Sequence, residues 1–323
     1  MPLDAILDRR LLIISGKGGV GKTTLAAALG IVGARRGKRV LIAEVEGKHS
    51  LSSLFDVPPL SPEPSRLADN IFGMNISPEE ALEEYFDVQF HVRRLAKPLV
   101  ASQLVDYVTH AAPGLRDILM LGKVWYAATR RRAFDIIVLD TPAAGHAVSM
   151  LRSPEGFLHA VPVGPLANHS RQVLEWLQDP DQVSIHLASM AEEMPVNETI
   201  ETTKLLEDKL GMDVAAIYIN MLYPPISSDP AIASQIDAID SQASLVETFK
   251  ASGGKITSKS GAQLFDALAF YEARRSMQQA YRTKLVDSLS YTAKIADLPF
   301  LFCDGFGLKE LETLADTIEA SLA

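Results

Sequence analysis

Gly16-Lys17-Gly18-Gly19-Val20-Gly21-Lys22-Thr23-Thr24 stands between the apolar run Leu11-Leu12-Ile13-Ile14, with Ser15 as its last spacer, and the helical stretch Leu25-Ala26-Ala27-Ala28-Leu29. A strand, a glycine-rich turn and a helix start in that order make a phosphate-binding loop. The backbone N–H groups of Gly18, Gly19, Val20 and Gly21 and the helix dipole then face an anion, and glycine lets the backbone come close. In such a loop Lys22 reaches the β- and γ-phosphates of a nucleotide, the Thr23 hydroxyl sits on Mg²⁺, and Thr24 completes the helix start. The loop thus calls for a nucleotide with Mg²⁺. Lys17, directly after the first glycine, is the unusual letter.

The bulk of the chain sets limits on this reading. Its 323 residues are 47% hydrophobic and 22% charged, with a formal net charge of −9. That hydrophobic share is ample for a packed core, and the acidic balance argues against a surface that coats nucleic acid or adheres to anionic lipid. No apolar stretch approaches the roughly 20 residues needed to span a bilayer, so no integral membrane protein is expected. The start Met1-Pro2-Leu3-Asp4 lacks a signal-peptide pattern. Cys303 is the single cysteine, which excludes an internal disulfide and fits a cytoplasmic location.

Further unalternating apolar runs at 39–43, 134–139, 183–187 and 214–219 read as strands, and Pro299-Phe300-Leu301-Phe302 is a last candidate. Separated by helical stretches, they suit an α/β fold: a doubly wound, mostly parallel sheet with helices on both faces. The stretch from Glu46 to Asp140 is much longer than one strand-helix-strand step needs, and it reads as mostly helical. Pro78-Glu79-Glu80 is an acidic helix start, 99–110 and 115–129 keep helical spacing, and 156–178 follows Pro154. The chain is read as one domain over 1–323, with helical insertions at about 76–132 and 155–180 forming a layer for a client or partner. Long crossover helices are the plainer alternative. Helices are also expected around 231–252 and 262–288, beyond a loop at 225–234.

Two more elements bear on what the loop does with a nucleotide. Asp140-Thr141-Pro142-Ala143-Ala144-Gly145-His146 follows a buried strand, where an acid can hold Mg²⁺ through water and small residues can sense a γ-phosphate. Glu46, just beyond the second strand, is the candidate for orienting the attacking water. Glu44 points to the same side, and reads more simply as a solvated acid at a strand end.

The loop at 16–24 and the segment at 140–146 closely resemble the ArsA-type ATPases, the family of the arsenite-pump ATPase and the Get-pathway ATPase that targets tail-anchored membrane proteins. The family's second loop usually reads Asp-Pro-Ala-His-Asn-Leu-Ser, and here stands Glu46-Gly47-Lys48-His49-Ser50-Leu51-Ser52. His49, Leu51 and Ser52 match, while Glu46 takes the place of the catalytic aspartate, so slow or altered hydrolysis is implied as an option. The resemblance implies that Lys17 reaches across a dimer to the partner's nucleotide, that Asn220 reads the adenine, and that the backbone at Pro299-Phe300-Leu301 closes over the base. Ala191-Glu192, Glu198-Thr199 and Pro113-Gly114-Leu115 match further family segments.

The departures narrow the resemblance. The Get-type zinc clasp and the arsenite site both need cysteines that this chain lacks. No zinc is therefore expected, and Cys303 reads as a small buried hydrophobe. Met120, Met150, Met190 and Met194 form no helical stripe. Leu115, Ile118, Leu119, Leu121, Val124 and Trp125 make a broad apolar helix, suited to the core and less readily to a client groove. The leading expectation is a Mg²⁺-dependent dimeric ATPase, homodimer or heterodimer with a homologous ATPase. Its nucleotide state would open and close a helical layer for a protein client or membrane-associated partner. A MinD/ParA-like positioning ATPase is an alternative, disfavoured by the acidic tail at 308–316; a nucleotide-regulated scaffold with weak hydrolysis is another.

Overall fold

Apolar runs without polar alternation become the central strands of one sheet. In the computed structural model, which describes residues 3–45, 50–90, 114–289 and 293–323, the strands of that sheet, edge strands included, are β1 (Leu11–Ser15), β2 (Val40–Val45), β3 (Ser65–Ala68), β4 (Ile71–Ile76), β5 (Ile136–Asp140), β6 (Val183–Met190), β7 (Val214–Leu222) and β8 (Lys294–Pro299). Their order is β3-β4-β2-β5-β1-β6-β7-β8. All neighbours run parallel except β3 beside β4. β1 lies between β5 and β6, so the glycine-rich loop leaves the middle of the sheet.

The helices in chain order are α1 (Leu3–Leu7), α2 (Lys22–Arg35), α3 (Ser50–Leu54), α4 (Pro78–Phe90) and α5 (Leu115–Tyr126), which runs on as a π-helical turn at Ala127–Arg131. After these come α6 (Ala144–Ala160), α7 (Pro165–Leu177), α8 (Glu193–Leu210), α9 (Pro230–Asp237), α10 (Gln242–Ala251), α11 (Ser258–Asp287) and α12 (Leu308–Leu322). The two-residue repeat of the strands assigns side chains to two cores. Leu12, Ile14, Ile42 and Val138 pack with α1, α2 and α12. Leu11, Ile13, Leu41 and Leu139 pack on the opposite face, in one cluster with α5, α6, α7 and α8. Each such side chain, fully withdrawn from water, contributes about 1.5–3 kcal/mol before the ordering cost is counted.

Three expectations need correction. The region between Glu46 and Asp140 is not only helical, because β3 and β4 lie within it. The last strand is Lys294–Pro299 and ends where the run 299–302 was expected to begin. Its Lys294 and Asp297 hid it as an apolar run, and an edge strand tolerates such charges; Asp297 is held by Arg282 at 2.7 Å. Pro154 does not start a helix but sits inside α6, which begins directly in the segment after Asp140. The expected helix at 99–110, with Pro113, lies outside the described residues.

The acidic tail docks on the body. Leu311, Leu314, Ile318 and Leu322 of α12 are buried, and Asp316 pairs with Arg35 of α2. Its apolar face is spent on the core. No helix among the described residues is long and apolar enough to cross a membrane.

Candidate nucleotide-binding site

Geometry explains why the loop after β1 is written in glycine. Gly16 has φ 145°, and a methyl group there would overlap the Ala188 carbonyl oxygen of β6. Gly21 has φ 92°, and a methyl there would overlap the side-chain amide of Asn220. The loop is therefore pressed onto the sheet at both ends. No side chain caps α2, whose first N–H groups are left for a ligand. Above them opens a cavity of about 620 Å³, lined by Gly19, Gly21, Lys22, Thr23, Thr24, Glu44, Val45, Asp140 and Thr141 and by Ser50, Ser53 and Leu54 of α3.

Parallel pairing sets Asp140 of β5 beside Glu44 of β2 and one strand from β1. The Thr23 hydroxyl donates to Asp140 Oδ2 at 2.6 Å. Asp140 is 5% exposed, and its Oδ1 is buried with no hydrogen-bond partner. Burial pushes the Asp140 carboxyl up to about 6, against the pull of the Thr23 hydrogen bond and the Lys22 charge; Glu44 adds to the rise. Burial pulls the Lys22 ammonium down, opposed by Asp140 and Glu198. Lys22 Nζ donates to the Lys17 carbonyl at 3.2 Å, so it lies across the loop. An unshared carboxylate oxygen beside a hydroxyl, under an uncapped helix end, is a donor set that suits a hard divalent cation.

Glu44 corrects its first reading. It is 3% exposed and lines the cavity, so it is no solvated strand end. Glu46 and His49 lie outside the described residues, although Val45, the last residue of β2, also lines the cavity.

The remaining sequence candidates fall on both sides of the loop. Val20 turns its side chain into the core, so only its backbone is available to a ligand. Gly18 has open space around it. Asn220, at the register of Met190 on β7, donates its amide to the Val20 carbonyl at 3.0 Å and so supports the loop from beneath. Pro299 ends β8, and the next residue, Phe300, donates its N–H to the Leu222 carbonyl at 2.7 Å. Sequence reasoning missed what surrounds it: the Tyr223 ring centroid lies 5.2 Å from Phe300, and Phe302 lies 4.8 Å from Phe300. Tyr271 of α11 joins them at 5.0 Å from Tyr223. Three of these rings stand within three residues of Asn220 or Pro299, which is the signal a reader could have used; Tyr271 arrives only through the fold.

Lys17 forms an ion pair with Glu198 of α8, Nζ to Oε2 at 3.5 Å. His146, in the first turn of α6, brings Nε2 to 3.8 Å from Asp117 Oδ1 on α5. Cys303 is exposed, contrary to expectation, because β8 stops at Pro299 and leaves 300–307 as a surface loop. Among the described residues no group of three or more His, Cys, Asp or Glu side chains could hold a metal ion.

The chain matches the family described as anion-transporting ATPase over residues 9–161, a span that holds β1, the glycine-rich loop and Asp140. The ATPase BagA of Mycobacterium tuberculosis is 31% identical over 251 residues, 73% of this chain and 73% of its own length. A Halobacterium salinarum protein that carries the name of an arsenical pump-driving ATPase is 27% identical over 241 residues, 69% of this chain but 37% of its own. An Aquifex aeolicus protein with the same kind of name is 30% identical over 159 residues. Together with the loop, the uncapped helix and the Thr23–Asp140 pair, these likenesses mean that the chain belongs to the ArsA-type, anion-transporting ATPase family and is an ATPase.

Proposed function

We propose that the chain hydrolyses ATP with Mg²⁺ between two closely apposed subunits, and that the nucleotide state sets the arrangement of its helical layer. The observation that carries this reading is the open oxygen of Asp140 beside the Thr23 hydroxyl, at the base of the cavity on the α2 N-terminus. Thr23 and Asp140 would hold the metal, Asp140 through water; bound there, the ion neutralises phosphate charge. The loop amides from Gly18 to Thr24 hold the phosphates, and Lys22 balances the charge that builds on the β–γ bridge. Water attacks the γ-phosphorus, the bond to the bridging oxygen breaks, and ADP and phosphate leave. Glu46, one residue past β2, orients that water.

Adenine is assigned to the side of the loop where Asn220, Pro299 and the rings of Tyr223, Phe300 and Phe302 gather, since flat aromatic faces stack with a base. Lys17 acts across the interface on the partner's nucleotide, in a homodimer or with a homologous ATPase. Coupling runs through α6, which starts in the segment after Asp140 and packs on α5 and α7. Between α4, α5 and α7 lies a cavity of about 280 Å³ lined by Tyr85, Leu119, Trp125, Tyr126 and His169 together with Glu84, Lys123, Arg130 and Gln172, which supports a client or partner with an apolar body and polar contacts for this layer. The single Cys303 supports a reducing, cytoplasmic setting.

ATP turnover with and without Mg²⁺, in the wild type and in Lys22→Ala, tests the chemistry. Metal-dependent turnover that falls about 100-fold or more in Lys22→Ala is expected; turnover untouched by that change would sink the assignment. Sedimentation with ATP tests the dimer: Lys17→Ala should weaken ATP-dependent association, and an undiminished dimer would remove Lys17 from the interface.

A further inference from the structure

One charged side chain at the loop has no part in the chemistry proposed above. Glu198 sits in the second turn of α8, and its carboxylate faces the amines of the glycine-rich loop. Its Oε2 lies 3.5 Å from Lys17 Nζ, with the two side chains 32% and 30% exposed. Its charge also supports the Lys22 ammonium against burial, together with that of Asp140.

The backbone under Glu198 is pinned. The next residue, Thr199, is buried; its hydroxyl donates to the Pro195 carbonyl at 2.8 Å and lies 2.9 Å from the hydroxyl of Ser189 on β6, which shares the second hydrogen bond. Asn197, the residue before, accepts from Lys284 of α11 at 2.8 Å, and Glu192 pairs with Arg274 of the same helix. β6 is also the strand on which Gly16 rests. Helix and loop are therefore held on a common support, and the carboxylate is the movable part.

We infer that Glu198 is a built-in counter-anion of the phosphate loop, holding Lys17 until the phosphate chain of a nucleotide displaces it. The inference rests on the function proposed above and deepens it. A lysine ammonium is a point charge on a flexible stem and exchanges one anion for another without a fixed geometry. The ligand class is a polyphosphate chain, as in a nucleoside triphosphate or inorganic tripolyphosphate, which brings several negative charges against the single one of Glu198. An ion pair this exposed is weak, so the competition tunes affinity and does not block the site. Displacement also releases Lys17 to turn towards a second subunit.

The test is titration calorimetry of ATP and of tripolyphosphate on the wild type, Glu198→Gln, Lys17→Ala and the double variant, at low and high salt. Glu198→Gln should bind both ligands about two- to fivefold more tightly. The gain should shrink at high salt and mostly vanish when Lys17 is already absent. Glu201→Gln, one turn further along α8, should give a smaller change. Unchanged or weaker binding in Glu198→Gln, a gain for ATP but not tripolyphosphate, or an equal gain without Lys17 would overturn the inference. A wild type that binds neither ligand would overturn the function proposed above, and this inference with it.

Discussion

On β6 and β7, Ser184, His186 and Tyr218 close a chain of polar side chains on themselves; on β5, Asp140 leaves one oxygen open beneath a cavity. Both clusters are buried in the same parallel sheet, and burial shifts the proton affinity of both. In the first, Ser184 Oγ lies 2.9 Å from His186 Nε2 and Tyr218 Oη lies 3.2 Å from His186 Nδ1. Burial holds the imidazole down at about 3 and raises the Tyr218 phenol, so both stay neutral with their hydrogen bonds met. In the second, Thr23 answers one carboxylate oxygen and no side chain answers the other. A perturbed group marks a site when its hydrogen-bonding capacity is left open towards space a ligand can enter. His186 is perturbed and structural; Asp140 is perturbed and unfinished.

The sharpest break between the two clusters should come from activity. Asp140→Asn keeps shape and one acceptor but removes the charge, and should lower ATP turnover about 100-fold or more. The melting temperature of the nucleotide-free protein should not fall, because a buried charge is removed with its cost. His186→Phe should do the reverse. It strips Ser184 and Tyr218 of their partner and should cost about 1–3 kcal/mol of stability in denaturant unfolding. Nucleotide affinity should stay at the wild-type value. If His186→Phe abolished nucleotide binding in a folded protein, the division between the clusters would fail.

Acid should act on the closed cluster next. His186 has a folded proton affinity below its ordinary one, so the unfolded chain takes up the extra proton. The stability held by the neutral imidazole is whole above the ordinary histidine value, about 6.5, and drains as the pH falls from there towards about 3. Near pH 4.5 the loss should reach roughly 2–3 kcal/mol. Unfolding curves taken between pH 7 and 4 should therefore be flatter in His186→Phe than in the wild type; parallel curves would take the titration away from this residue.

The smallest effect belongs to the loop's support. Asn220→Ala removes the bond to the Val20 carbonyl and should weaken ATP binding severalfold, at about 1 kcal/mol. An unchanged affinity would show that the loop keeps its form without that bond.

What could be read from the chain follows the same divide. β1, β2, β5 and β7 were legible because strands buried on both faces are written as nearly continuous apolar runs, and β6 was legible although Ser184 and His186 interrupt its aliphatic residues. β4 was hidden because Ile71-Phe72-Gly73-Met74-Asn75-Ile76 is broken by Gly73 and Asn75. Gly73 has its place only in the fold, where Leu60 and Leu67 close on it. At the site, Lys22, Thr23 and Asp140 were legible as motif letters that the topology brings together. The burial of Glu44, the pairing of Lys17 with Glu198, and the packing of Tyr271 with Tyr223 depend on strands and helices far apart in sequence. No local pattern encodes them.

The most direct test of the open oxygen is the effect of Mg²⁺ on ATP affinity, measured by titration calorimetry in the wild type and in Asp140→Asn. Mg²⁺ should tighten ATP binding about tenfold or more in the wild type and far less in the variant. The same gain in both proteins would contradict the assignment of Asp140 as the metal's seat.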